Sequence, residues 1–68
     1  MQISVNGKDK SFQAQDLSLE KVLHSENIFN SDGIAVAVNE NIISNKEWKD
    51  YLIQDHDKII IIKAVQGG

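Results

Sequence analysis

The chain contains no cysteine, no proline and no arginine among its 68 residues. Without cysteine, the sequence excludes disulfide bonds, thiolate zinc sites and a cysteine nucleophile, so stability must come from packing. All seven basic residues are lysines scattered along the chain, and the formal net charge is -3. Because nucleic-acid binding needs concentrated positive charge, we expect no nucleic-acid partner.

Long apolar stretches are also missing. No stretch is long enough to span a membrane, and residues 1–6 alternate between apolar and polar side chains instead of forming the apolar block of a signal peptide. We therefore expect a cytoplasmic protein that makes no membrane contact and is a monomer when free. A chain of this length with 41% apolar and 25% charged residues is typical of one small globular domain.

The first part of the chain is expected to form a β-hairpin. Residues 2–5 alternate in polarity, and the Asn6-Gly7 pair that follows is a strong signal for a two-residue turn. Alternation resumes over residues 11–14, which predicts a return strand with Phe12 and Ala14 on its inner face.

After the hairpin the period changes from two to three or four residues. The spacing of Leu19, Val22 and Leu23 predicts a short helix with one apolar face. Ser18 can cap this helix by accepting a backbone N–H bond, and Glu20 lies in the first turn, where the helix dipole favours negative charge. In the turn-rich connection that follows, we expect the consecutive apolar residues 28–29 to pack on the core.

The second half of the sequence predicts three more strands. Residues 34–38 alternate branched side chains with alanine, residues 42–43 begin a short partner strand, and residues 58–65 form the last strand. Before it, residues 46–52 are expected to form one helical turn that buries Trp48. The first and last strands are the natural central pair, parallel and joined by a crossover that contains the helix. This order predicts an α+β β-grasp (ubiquitin-like) fold, with a mixed sheet of four to five strands packed on one helix.

Few side chains are candidates for catalysis or metal binding. His24 lies on the predicted solvent face of the helix and His56 lies in a turn, so we expect neither to act as a general base. Asp55-His56-Asp57 is a better β-turn than a metal site, because neighbours in sequence rarely converge on one ion. No glycine-rich phosphate loop occurs. We therefore expect no bound metal, nucleotide or other cofactor.

A run of four isoleucines, residues 59–62, forms most of the last strand. If the odd-numbered isoleucines face the helix, Ile60 and Ile62 face away from it, beside Ala35 and Ala37 of the neighbouring strand. This arrangement would leave a shallow apolar patch on the open face of the sheet, and such patches tend to mark partner interfaces. The alternative is that another segment of the chain covers the patch.

The sequence ends in Gly67-Gly68, with only Val65 and Gln66 between this pair and the apolar strand. Glycine is poorly suited to finish a core element but well suited to a thin arm, although a frayed terminus is the simpler alternative. We expect a domain over residues 1–65 and a flexible tail over residues 66–68. Since no other reactive group stands out, the carboxylate of Gly68 is the candidate for chemistry, and this ionised group must first be activated by another protein.

Residues spread over the whole chain resemble the ThiS family of ubiquitin-like sulfur carriers. The matching positions are Met1-Gln2-Ile3, Asn6, Ala37-Val38-Asn39, Glu47-Trp48, Gln54-Asp55, Asp57 and Gly67-Gly68. The sequence departs from the family pattern at His56, where many relatives have glycine, and at Ser44, where many have proline.

The resemblance implies that the chain is a protein co-substrate and not an enzyme. A ThiF-like enzyme would use ATP and magnesium to adenylate the Gly68 carboxylate, and a persulfide from a cysteine desulfurase or similar donor would convert it to a thiocarboxylate. Thiazole synthase, ThiG, would then take the sulfur for the thiazole ring of thiamine. On this interpretation Gly67 lets the tail enter a narrow active site, and Ile60 and Ile62 help to dock the partners.

Two alternatives stay open at this point. The small subunit of molybdopterin synthase is a sulfur carrier for the molybdenum cofactor with a similar fold and ending. A plain ubiquitin-like interaction module would bind a partner through the sheet face, and its tail would do no chemistry.

Overall fold

The computed structural model describes residues 1–13 and 15–64 of the chain. The elements in chain order are β1 (Gln2–Val5), β2 (Lys8–Ser11), α1 (Leu19–Ser25), β3 (Ile34–Val38), β4 (Asn41–Ile42), a short 3-10 helix (Asn45–Glu47) and β5 (Lys58–Lys63). The predicted tail over residues 66–68 and the domain boundary at residue 65 lie outside the described residues, as does Ala14.

The strands form one five-stranded mixed sheet in the order β2-β1-β5-β3-β4. β1 and β5 run parallel at its centre, and the other three strand pairs are antiparallel. The chain between β1 and β5 contains α1, whose apolar side chains join those of the sheet in one core. The predicted β-grasp fold and its central parallel pair are therefore confirmed.

The hairpin turn forms at the predicted place, but the return strand does not. Asn6 and Gly7 have φ angles of 51° and 82°, the left-handed conformations of a two-residue hairpin turn. So short a turn brings the chain straight back, and β2 therefore spans Lys8–Ser11. The prediction of a strand over residues 11–14 was wrong, because turn geometry and not alternation sets where this strand begins. Phe12, expected on its inner face, follows β2 and packs half-buried against the core.

Helix α1 forms as its spacing predicts. Leu19, Val22 and Leu23 are buried, and the Ser18 hydroxyl accepts a hydrogen bond from the backbone N–H of Lys21 at 3.2 Å. The cap satisfies one of the free N–H groups at the start of the helix. This apolar face packs in one core with the inner face of the sheet and with side chains from the connecting segments. The other buried apolar residues of the core are Ile3, Val5, Leu17, Ile28, Val36, Val38, Ile43, Trp48, Ile53, Ile59 and Ile61.

The connection after α1 buries one of the two apolar side chains expected to anchor it. Asn27 has a φ of 64°, and the N–H of Ile28 donates to the Leu23 carbonyl at 2.9 Å, which turns Ile28 into the core. The next side chain then points outward. Phe29 is 70% exposed, with its ring centre 5.2 Å from that of His24, so the prediction that it packs on the core was wrong.

The segment before β5 buries its tryptophan as predicted. The Trp48 side chain follows the 3-10 helix and is buried, and its Nε1–H donates to the Ile43 carbonyl at 3.1 Å. The helical turn is shorter than expected, because the chain is extended again by Leu52, which forms an isolated bridge with Ser18. Leu52 is 54% exposed.

Candidate functional site

The two faces of β5 differ sharply in exposure. Ile59 and Ile61 face α1 and are buried, whereas Ile60 is half-buried and Ile62 is 56% exposed. Strand alternation sends successive side chains to opposite faces of the sheet. The expected assignment of faces is therefore confirmed, and β5 presents apolar side chains on the open face of the sheet.

The strands beside β5 extend this apolar surface. Ala35 lies opposite Ile62 and Ala37 lies opposite Ile60 across the β3–β5 ladder. On the other side of β3, Ile42 lies opposite Ala37 and is 71% exposed. We call these five residues the open-face patch. Sequence reasoning identified all of them except Ile42.

The patch continues to the carboxyl end of β5. A shallow concavity of about 260 Å³ lies there, lined by Ser31, Gly33, Ile34, Ala35, Ile62 and Ala64. The N–H of Ala64 donates to the carbonyl of Gly33 at 2.6 Å, and a Cβ built on Gly33 would lie 3.6 Å from that of Ala64. The apolar surface thus borders the last described residue of the chain. Gly67 and Gly68, the predicted reactive end, lie outside the described residues.

The Asp55-His56-Asp57 segment forms the predicted turn. His56 has a φ of 70°, and its N–H donates to the Gln2 carbonyl at 2.6 Å. Asp55 accepts from the N–H of Gln2 at 2.7 Å, and this bond holds the pKa of the Asp55 carboxyl below its ordinary value. The His56 side chain is exposed and lies 3.4 Å from a carboxylate oxygen of Asp55. These contacts tie the turn to β1.

The side chain of Asp57 is buried and joins a hydrogen-bond network. Its carboxylate accepts from the side-chain amide of Asn39 and from the N–H of Gln54, both at 2.8 Å. The side-chain Oδ1 of Asn39 in turn accepts from the backbone N–H of Lys58 at 3.0 Å. The network joins the β3–β4 turn to the beginning of β5. Asn39 and Asp57, two positions of the family pattern, therefore have a structural role in this fold.

A second concavity lies on the helix side of the sheet. It has a volume of about 200 Å³ between α1 and the 3-10 helix, and its lining includes His24, Phe29 and Trp48. His24 is exposed, as expected from the helix face. Over residues 1–13 and 15–64, no three histidine or acidic side chains converge as metal ligands, and no helix is long and apolar enough to cross a membrane.

Three comparisons with known proteins bear on this site. The model of the ThiS family matches residues 2–68. The sulfur carrier protein ThiS of Escherichia coli (strain K12) is 33% identical over 36 residues, which are 53% of this chain and 54% of that protein. The chain thus matches about half the length of this curated relative.

The fold also has solved counterparts. The crystal structure of the thiamine biosynthesis protein ThiS from Geobacter metallireducens superposes with a TM-score of 0.82 over the whole of both chains, at 20% identity. An NMR solution structure of a thiamine biosynthesis protein from the same organism has a TM-score of 0.79 at 20% identity, and covers all of this chain and 88% of that one. At this identity the likeness shows the fold.

Proposed function

Because this chain belongs to the ThiS family, we propose that it is a sulfur carrier protein that supplies sulfur for the thiazole ring of thiamine. The observation that carries the proposal is the family match over residues 2–68, which includes Gly67-Gly68. The same proposal makes the chain a protein co-substrate of enzymes that work in the cytoplasm, and assigns it no bound cofactor.

The proposed chemistry takes place at the carboxylate of Gly68. An oxygen of this carboxylate attacks ATP in a ThiF-like enzyme that uses magnesium, and pyrophosphate leaves. A persulfide from a cysteine desulfurase or similar donor then attacks the acyl-adenylate, and AMP leaves. A thiol cleaves the S–S bond and releases the thiocarboxylate, which ThiG uses. In this scheme Gly67 adds no side chain where the end of the chain must enter a narrow active site.

We propose that the open-face patch docks these partners. Two of its isoleucines are more than half exposed, and the patch borders Ala64, so a protein bound there lies next to the point from which the chain continues to Gly68. Burial of exposed apolar surface is the main favourable term in most protein associations. The patch would supply affinity, and the carboxylate would supply the reactive group.

Mass spectrometry of the intact chain tests the chemistry. After incubation with ATP, magnesium, the activating enzyme and a sulfur donor, the mass should rise by the difference between sulfur and oxygen, and the modification should map to Gly68. A reaction without ATP and a chain that lacks Gly68 serve as controls and should show no change. An unmodified wild-type chain in the complete reaction would contradict the carrier function and favour the interaction module.

A matched pair of substitutions tests the patch. Ile62→Asp places a charge in the open-face patch, and Leu52→Asp places one at a residue of almost equal exposure outside it, 54% against 56%. Ile62→Asp should weaken binding to the activating enzyme at least tenfold in a titration, because a buried carboxylate without a partner is strongly unfavourable. Leu52→Asp should bind like wild type. Equal affinities of the two variants would rule out docking through the patch.

A further inference from the structure

The turn between β1 and β2 consists of Asn6-Gly7, and both residues are exposed. An asparagine that precedes glycine can lose its side-chain amide without an enzyme, because the backbone nitrogen of the glycine attacks the amide carbon. Glycine favours this attack, since it has no Cβ to obstruct the approach and its backbone rotates freely. Asn6 is the only asparagine of the chain that is followed by glycine.

Deamidation of this pair would proceed through a cyclic imide. A base in the solvent removes the proton of the Gly7 N–H, and the nitrogen forms a bond to Cγ of Asn6. The bond from Cγ to Nδ2 then breaks, and Nδ2 takes up a proton and leaves as ammonia. Water opens the remaining succinimide ring at either of its carbonyl carbons. The product is aspartate, or isoaspartate, in which the main chain runs through Cβ and Cγ.

The conformation of the closed turn prevents this ring from forming. Ring closure needs the Gly7 nitrogen on the same side of the Cα–C bond of Asn6 as Cβ. With φ angles of 51° and 82°, Asn6 and Gly7 form a type I′ turn. The first central residue of such a turn has a ψ of about +30°, which places the next nitrogen almost opposite Cβ. The chain must therefore leave the turn conformation before the amide carbon can be attacked.

Hydrogen bonds to β5 hold Asn6 in place. Its Oδ1 accepts from the N–H of Ile61 at 2.7 Å, and its Nδ2 donates to the carbonyl of the same residue at 3.2 Å. The backbone N–H of Asn6 also donates to the Ile59 carbonyl at 2.9 Å. Because these bonds fix Asn6 on β5, the rotation that closes the ring has to move Gly7 and the strand after it. This movement separates β2 from β1.

We propose that Asn6-Gly7 is a deamidation site that the closed hairpin protects, and that it reacts only in molecules whose β1–β2 hairpin has opened. Ring closure is slow compared with opening and closing, so its rate follows the population of the open hairpin. This inference is independent of the function proposed above.

The products do not fit the native turn. Isoaspartate adds an atom to the main chain, although the pairing of Val5 with Lys8 leaves room for only the two residues between them. Aspartate has no donor for the Ile61 carbonyl. A transient opening of the hairpin is thereby converted into a lasting chemical change of the chain.

Peptide mapping by mass spectrometry tests the site in the wild-type chain. The chain is incubated at mildly alkaline pH, either folded in buffer or unfolded in guanidinium chloride, and sampled over time. In guanidinium chloride, Asn6 should deamidate faster than any other asparagine, and Gly7→Ala should slow this reaction because its Cβ obstructs the attack. In buffer, the rate at Asn6 should be at least about a hundredfold lower, because few molecules have an open hairpin at any moment. Similar rates in the two conditions would overturn the protection, and a faster reaction at another asparagine in guanidinium chloride would overturn the choice of site.

A matched pair of substitutions tests whether the hairpin must open. Phe12 follows β2 and packs half-buried against the core, whereas Phe29 is 70% exposed. Phe12→Ala should raise the deamidation rate of the folded chain at least about fivefold, because it weakens the packing that keeps β2 in place. Phe29→Ala should react like wild type, and all three chains should react equally in guanidinium chloride. Phe12→Leu, with a smaller rise, replaces Phe12→Ala if the latter does not fold. An unchanged rate in the folded Phe12 variant, or an equal rise in Phe29→Ala, would overturn the proposal.

Discussion

The assignment of the two faces of β5 can be tested by removing one methylene group from an isoleucine on each face. Ile59→Val and Ile62→Val make the same chemical change on the same strand and keep a β-branched side chain, so strand propensity is almost unchanged. Ile59 is fully buried, with 0% exposure, whereas Ile62 is 56% exposed. Removing a methylene from a packed core costs about 0.5–1.5 kcal/mol, and surface substitutions usually change stability by less than about 0.5 kcal/mol.

For a domain of this size, 1 kcal/mol shifts the thermal midpoint by about 4–8 °C. We therefore expect Ile59→Val to lower the midpoint by about 2–12 °C and Ile62→Val to lower it by less than about 4 °C. Circular dichroism at two scan rates, with a check of reversibility, measures both values. Equal shifts, or a larger shift for Ile62→Val, would refute the orientation of the strand and with it the open-face patch.

Three further substitutions test polar contacts of the fold. Asp57→Ala should lower the free energy of unfolding, measured in urea, by about 2–3 kcal/mol, because it removes two hydrogen bonds to a buried carboxylate. As a control, Asp50→Ala at an exposed residue should change this free energy by less than about 0.5 kcal/mol. Trp48→Phe should cost about 1–3 kcal/mol, since the Ile43 carbonyl loses its donor. Asp55→Asn should lower the thermal midpoint at pH 6, because the lowered pKa of Asp55 stabilises the folded state while its carboxyl is ionised. The difference from wild type should shrink as the pH falls below the ordinary carboxyl pKa of 3.8. A difference that persists at pH 2 would contradict this contact.

The alternation and spacing of apolar residues correctly predicted the elements that are positioned by the burial of their own side chains. β3 and β5 have buried branched residues on one face, and α1 has its apolar residues at helical spacing with a serine cap. In these segments the local pattern and the packing in the core favour the same conformation. The central parallel pair followed as well, because the first and last strands are both rich in apolar residues.

The wrong predictions concern segments that are placed by backbone geometry. β2 consists of Lys8–Ser11 with no alternating apolar face, and the two-residue turn before it sets its position. Phe29 points outward because the chain reverses at Asn27. Ile42 was left out of the patch for the same reason, since its face depends on a turn at Asn39 and Glu40, which have φ angles of 50° and 74°. Left-handed residues other than glycine are poorly visible in a sequence.

One departure from the family pattern is accommodated without a change of fold. The resemblance to the ThiS family implies glycine at the position of His56, and His56 has a φ of 70°. Histidine is among the residues that tolerate this left-handed region better than most. The backbone N–H of His56 donates to the Gln2 carbonyl at 2.6 Å, so the turn remains bonded to β1.

The residues that make the chain recognisable as a ThiS relative are for the most part not those that would carry its chemistry. Asn39 and Asp57 join two turns, Trp48 fills the core, and Asn6 satisfies the backbone of β5. These contacts specify a fold, and a fold by itself does not specify a function. The proposed chemistry instead takes place at Gly67-Gly68, the part of the family pattern that includes the terminal carboxylate. The decisive comparison between a sulfur carrier and an interaction module is therefore chemical: only the carrier gains a sulfur at Gly68, whereas both can bind a partner through the open-face patch.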